Sequence, residues 1–201
     1  MENSGLLIVI SGPSGAGKGT ICKALLEKDP SIHVSVSATT RAPRMGEVHG
    51  ENYYFLTMEE FKERLEQDQF LEYAKVYDNY YGTPKENVME QLQRGKDVLL
   101  EIDTEGALKV KEKFPEGVFI FILPPRIEDL KRRIMNRGTE SEEDIKKRLE
   151  AAKEEIQKIH EYNYGVINDD VERATLDVQS ILSAEKLKTE RNYQDLIEKY
   201  I

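Results

Sequence analysis

Short runs in which nearly every position is apolar alternate along this chain with longer stretches whose apolar residues recur every three or four positions. The runs LLIVIS (6–11), DVLLEID (97–103), GVFIFILPP (117–125) and YGVIND (164–169) predict buried strands. HVSVSATT (33–40) alternates apolar and polar residues and predicts another strand, and ENYYFLT (51–57) and FLEYAKVYD (70–78) are aromatic, β-branched strand candidates. Helical spacing follows each of the first runs. TICKALLEK (20–28) predicts one helix, and MEEFKERLEQ (58–67) a second, with Thr57 as N-cap. GTPKENVMEQLQRG predicts a third, with Thr83 as cap, Pro84 at the first helical position and Gly95 as stop. Charged helices fall on either side of a break at Gly138, and the chain beyond 169 is helical.

Apolar strands alternating with helices imply an α/β fold, a parallel sheet covered by helices on both faces. The segment 37–83 breaks that rhythm. Its short aromatic strands around one helix read as an inserted mixed α+β subdomain, and the break near 137–142 reads as a mobile flap.

Bulk properties narrow the picture. A length of 201 residues suits one domain with a small insert. At 39% hydrophobic and 33% charged, the chain reads as globular, and no apolar run reaches the ~20 residues of a membrane helix. MENSG has neither the basic region nor the cleavage site of a signal peptide, and the single Cys22 fits a reducing compartment, so the cytoplasm is expected. A net charge of −9 argues against nonspecific nucleic-acid binding. It leaves room for small anions held by local clusters of arginine.

Those clusters and one glycine-rich turn carry the candidate chemistry. GPSGAGKGT (12–20) follows a strand and opens a helix, as a phosphate loop does. Gly12, Gly17 and Lys18 fit the mask G-x-x-x-x-G-K-[ST], but the hydroxyl arrives one residue late: Gly19 stands in its place and Thr20 follows. A magnesium ion here is expected on phosphate oxygens and water, with Thr20 or a carboxylate such as Asp103 behind. Asp103 ends a strand whose C-terminal end should face the nucleotide crevice, although capping the next helix is its alternative. Arg41 and Arg44, stiffened by the proline between them, suit a doubly charged phosphate, with Tyr53 and Tyr81 as hydroxyl donors; a solvated basic turn is the alternative. Glu72 stands among apolar strand residues and needs a partner. Guanine offers two adjacent donors to a carboxylate, and Thr83 or Ser37 can donate to its O6; an ion pair with Lys75 is the alternative. Arg133 and Arg137 share a helical face and Arg148 follows on the next helix, as arginines closing over transferring phosphates do. The three histidines and Cys22 show no metal-ligand spacing and read as structural or surface residues.

In order and spacing, GPSGAGKGT, SATTRAPRMGEVHGENYYF, YYGTP, LEIDTEGA, RIMNRGTESEEDIKKRL and NYGVINDD resemble the bacterial guanylate kinases, over about residues 6–188. The resemblance implies a P-loop core (1–36, 84–125 and 160–201), a GMP-binding insert (37–83) and a helical lid (126–159). It implies transfer of the γ-phosphoryl of Mg-ATP to GMP, and to dGMP, in purine nucleotide metabolism. Gly12, Ser14, Gly15, Ala16, Gly17, Lys18, Gly19 and Thr20 would hold ATP, with Asn168 near adenine. Ser37, Arg41, Arg44, Tyr53, Glu72, Tyr81, Thr83 and Asp103 would hold GMP, and Arg133, Arg137 and Arg148 would be lid arginines. The chain departs from the family in Glu105, where glutamine is common, and in the end TERNYQDLIEKYI, an extra packing helix or contact surface. A peptide-binding module of the same fold, an AMP kinase and a nucleotide switch are the competing classes. The intact loop, Glu72 with Thr83, and a second phosphate site at 41–53 speak against them in turn. The sequence is equally compatible with a monomer and a homo-oligomer.

Overall fold

The computed structural model describes residues 5–76, 78–135, 142–198 and 201. Among these, five parallel strands form the central sheet, β1 (Leu7–Ser11), β2 (His33–Val34), β7 (Val98–Glu101), β8 (Val118–Leu123) and β9 (Tyr164–Ile167), in the order β2-β7-β1-β8-β9. The run LLIVI is apolar throughout because both faces of β1 are covered. Ile8 and Ile10 pack with Ile21 and Leu25 of α1 (Lys18–Lys28) and Val178 of α7 (Val171–Lys186). Leu7 and Val9 pack on the other face with Val88 of α3 (Lys85–Gln93) and Val110 of α4 (Thr104–Lys113).

A second, mixed sheet runs β4-β3-β6-β5, from β3 (Ala38–Thr39), β4 (Tyr54–Phe55), β5 (Phe70–Val76) and β6 (Asn79–Pro84). The helix α2 (Met58–Glu66) covers it, burying Phe61 against Phe70 with ring centroids 4.4 Å apart. Thr57 caps α2 as predicted, and the structure adds a full capping box: Thr57 Oγ1 accepts from Glu60 N–H at 3.1 Å, and Glu60 Oε2 accepts from Thr57 N–H at 2.7 Å.

Two expectations are corrected. The strand expected over 33–40 is two short strands in two different sheets, because the chain crosses from the central sheet to the second one between Val34 and Ala38. Thr83 does not cap α3. It lies in β6, opposite Glu72 of β5, and α3 begins only at Lys85, after Pro84, with no side-chain cap. Gly95 ends that helix as expected, with a positive φ of 74°.

The helices α5 (Ile127–Met135) and α6 (Glu142–Gln157) pack through Leu130, Ile134 and Ala152. The break expected near 137–142 lies largely outside the described residues. The chain end forms α8 (Thr189–Glu198), whose Arg191 donates to Glu116 O and to the buried Glu185, so this helix packs back on the core. No helix among the described residues is long and apolar enough to cross a membrane.

Candidate active site

The central strand β1 ends at Ser11 and the chain turns through 12–17 directly into α1. Gly12, at φ 139°, approaches β8 so closely that a Cβ would lie 2.3 Å from Ile122 O. Gly17 is the N-cap of α1 at φ 95°, and a Cβ there would lie 2.2 Å from Asn168 Nδ2. With glycine as cap, α1 has no capping side chain on its first-turn N–H groups. They remain available to an anion at the positive end of the helix. Ser14 is exposed and Gly15 half-buried at the tip of this loop, and Gly19 and Thr20 are exposed in the first turn of α1.

The buried carbonyl of Ala16 is gripped from two sides. Asn168, at the end of β9, donates from Nδ2 at 2.8 Å, and Arg133 of α5 donates from Nη1 at 3.0 Å. The other fork of Arg133 reaches Asn168 O at 3.0 Å. These contacts tie the loop to the end of the sheet and to α5. Gly17→Ala is expected to break this clamp and weaken the binding of a polyphosphate anion at the loop at least tenfold, checked by equilibrium titration beside a thermal melt.

Lys18 points back over the loop and donates to Gly12 O at 2.5 Å and Pro13 O at 3.4 Å. Burial lowers its pKa, and the charges of Glu101, Glu155 and Asp103 oppose that shift. Glu101, at the end of β7, was missed by the sequence reading. Its Oε1 lies 3.4 Å from where a Cβ on Gly19 would stand, and both residues line a cavity of about 420 Å³ shared with the loop. Burial raises the Glu101 pKa, and Lys18 partly offsets this. A carboxylate thus faces the position where the usual mask has a hydroxyl, a relation between β7 and α1 that no local motif reveals. Asp103 caps α4, with Oδ1 accepting from Gly106 N–H at 2.8 Å. Its charge still reaches Lys18 and Glu72.

On β5, Glu72 is 6% exposed and accepts at Oε1 from Thr83 Oγ–H at 2.7 Å. Its Oε2 sits where a Cβ on Gly106 would be 2.7 Å away, so glycine in the first turn of α4 makes room for the carboxylate. Burial, helped by Asp103 and opposed by the Thr83 bond, raises its pKa to about 7. A buried carboxylate with one hydroxyl partner has acceptor capacity left for two further donors. Ser37 precedes Ala38, the partner of Gly82, and so lies at the Thr83 end of the β3–β6 pairing.

The loop after β3 carries the arginine pair. The Arg41 guanidinium lies 5.4 Å from the centre of the Tyr53 ring and 5.8 Å from that of Phe55, and the Tyr53 and Tyr81 rings meet edge to face at 6.0 Å. Arg41 Nη1 and Nη2 donate to Glu47 Oε2 and Oε1 at 3.0 and 2.9 Å. Arg44 is exposed. One guanidinium and two tyrosine rings therefore gather beside a loop that carries a second, exposed arginine, a set that suits a dianion.

Arg148 sits half-buried on α6, and Arg137 lies outside the described residues. Glu105 is exposed in the first turn of α4 and pairs with Lys109 at 3.4 Å. A larger cavity, of about 700 Å³, opens at the opposite ends of the strands beside Gly5 and Asp97. Ligands of open α/β sheets bind at the C-terminal strand ends, and at this other end Lys186 pairs with Asp97 and Lys188 with Glu185.

A parallel sheet whose central strand runs into a glycine loop with a half-buried lysine defines the phosphate-loop kinases. The fold is shared with shikimate kinase from Bacteroides thetaiotaomicron, 16% identical, with a TM-score of 0.51 over 89% of this chain and 98% of that one. The model of the guanylate kinase family matches residues 4–185. The guanylate kinase of Caldanaerobacter subterraneus subsp. tengcongensis is 64% identical over 96% of this chain and 93% of its own length. The crystal structure of guanylate kinase from Anaplasma phagocytophilum superposes with a TM-score of 0.81 at 36% identity, covering 100% of this chain and 97% of that one. The chain belongs to the guanylate kinase family and is an enzyme of that type.

Proposed function

We propose that this chain transfers the γ-phosphoryl group of ATP to GMP, giving ADP and GDP. The observation that carries the choice of acceptor is the buried Glu72 carboxylate with its Thr83 hydroxyl, on the sheet that also carries Arg41, Tyr53 and Tyr81. Guanine N1–H and its 2-amino group both donate to Glu72, while Thr83 and Ser37 serve O6. Adenine turns an acceptor toward the same carboxylate and is rejected by leaving buried groups unpaired. Arg41, Arg44, Tyr53 and Tyr81 take the GMP phosphate, and dGMP shares both the base and the phosphate that these residues bind. The unit 37–83 is then the acceptor-binding part, 126–159 the lid, and 1–36, 84–125 and 160–201 the core.

On the donor side, the loop 12–19, Lys18 and Thr20 hold the ATP phosphates, with Asn168 beside the adenine. Arg133, Arg137 and Arg148 neutralise the transferring group when the lid closes. The acceptor oxygen is already anionic, so the chain supplies positioning and charge neutralisation rather than a strong base. Both substrates are anions that repel each other, which accounts for two separate groups of arginines. Closure excludes water and so protects ATP from hydrolysis. Magnesium fits the site. Glu101 and Thr20 both line the cavity at the first turn of α1, where a hard, hydrated cation would be held through water, with the Asp103 charge within reach of Lys18. The ion would supply charge neutralisation across the phosphates. The compartment that suits a lone buried thiol and this chemistry is the cytoplasm.

The test is ADP release from Mg-ATP with GMP, AMP, CMP and UMP offered separately. Turnover with GMP alone is expected. Turnover with AMP at a comparable rate would refute the base reading. Tight GMP binding without turnover would move the chain to the peptide-binding modules of the same fold.

A further inference from the structure

Glu47, the ion-pair partner of Arg41 in the arginine loop, has been given no role in binding or catalysis so far. An acidic side chain beside a phosphate site should repel the ligand, yet both of its oxygens are spent inside the loop. Oε1 accepts from Arg41 Nη2 at 2.9 Å, and Oε2 from Arg41 Nη1 at 3.0 Å and from the Arg44 backbone N–H at 2.7 Å. The Glu47 N–H returns a bond to Arg44 O at 3.1 Å, closing the turn. One carboxylate therefore fixes the side chain of one arginine and the main chain of the other. The pair is sheltered, with the two side chains 15% and 20% exposed.

The donors of Arg41 tell what this achieves. A guanidinium carries five N–H groups in a rigid plane. Glu47 takes one from each Nη, and Ala42 O takes the second of Nη1 at 2.7 Å. The two that remain, Nε–H and the outer Nη2–H, lie on one edge of the plane and form a second fork. Tyr81 adjoins the guanidinium and Tyr53 lies against its face. An unrestrained arginine would have to freeze several torsions and choose an edge on binding.

We propose that Glu47 is a positioning residue for the GMP phosphate: it locks Arg41 by one edge so that the opposite edge stands ready as a bidentate phosphate fork, and it sets the backbone from which Arg44 reaches. The proposal rests on the reading of Arg41 as a phosphate ligand. The alternative geometry, in which Glu47 imitates the phosphate and must be displaced by it, is disfavoured because Glu47 is also tied to the Arg44 main chain and leaves the second fork to the Tyr81 hydroxyl side.

The test compares Glu47→Gln and Glu47→Ala with the parent in steady-state kinetics, together with competitive inhibition by guanosine, which has the base but no phosphate. Both variants are expected to raise KM for GMP at least tenfold, by a factor well above any fall in kcat, with KM for ATP and the inhibition constant of guanosine shifted less than twofold. An unchanged or lowered KM for GMP overturns the proposal. So does an equal weakening of GMP and guanosine, which would mean general loosening of the subdomain. Arg41→Gln separates the two levels. If it leaves KM for GMP unchanged, the phosphate reading of Arg41 fails and takes the proposal with it. If it raises KM while the Glu47 variants do not, only the proposal fails.

Discussion

Replacing Glu72 with glutamine is expected to lower kcat/KM for GMP about a thousandfold, with KM for ATP little changed. Two charge-assisted bonds to the base disappear, each worth roughly 1.5–3 kcal/mol, and the new amide turns a donor against a donor of guanine. The same residue predicts a pH dependence. In the free protein burial raises its pKa to about 7, whereas guanine N1–H and the 2-amino group need the ionised form. KM for GMP should therefore fall as pH rises through about 7 and then level off, and the variant should lack that component. Stability carries the opposite sign. A carboxyl whose folded pKa lies above its unfolded value of 4.5 binds its proton more tightly in the native state. Its contribution is fully present below that unfolded value and is lost as pH rises toward about 7, by an upper bound on the order of 3 kcal/mol. The difference in Tm between Glu72→Gln and the parent should grow in the variant's favour across that window and stay flat above it. A pH-independent difference would show that the carboxyl is not perturbed in the free enzyme.

What made Glu72 legible in the sequence was a charge placed where strand periodicity demands an apolar partner. β1 was legible for the converse reason, because burial on both faces removes every polar position. The Thr57 N-cap and the Gly95 stop are local chemistry and were read from a few neighbouring residues. β6 was not legible. Its sequence NYYGTP carries Gly, Thr and Pro, which signal turns and helix starts, and only pairing with β5 and β3 makes it a strand. The same pairing is what aims Thr83 at Glu72 instead of at the α3 terminus. Glu101 and Glu47 escaped notice because each draws its meaning from a neighbour. One is read only against Gly19, brought near by the parallel crossover, and the other only once the arginine loop closes on itself. An acid within a basic turn looks like ordinary charge alternation until its oxygens are assigned.

Lys18→Ala is the second large effect. It is expected to lower kcat by about 10²–10³, the usual loss for removing one donor aimed at developing charge, while GMP binding measured without ATP stays within twofold. The separation follows from the fold. Lys18 grows from the first residue of α1, beneath the end of the central strand, whereas the acceptor groups sit on the second sheet. In the free protein its ammonium caps the Gly12 and Pro13 carbonyls and lies within the field of Glu101, Glu155 and Asp103. Burial alone would favour the neutral amine, and these three carboxylates act against that. Bound phosphates add negative charge and strengthen the ammonium form further. Alanine removes the positive charge and leaves Glu101 facing the loop without a cation, so ATP meets repulsion where it met attraction. KM for ATP should consequently rise along with the fall in kcat, and added salt should soften the increase by screening Glu101. Lys18→Met distinguishes charge from packing, because it keeps most of the buried chain length. A loss in kcat equal to that of alanine assigns the effect to the ammonium group, and recovery toward the parent rate would assign it to the shape of the loop.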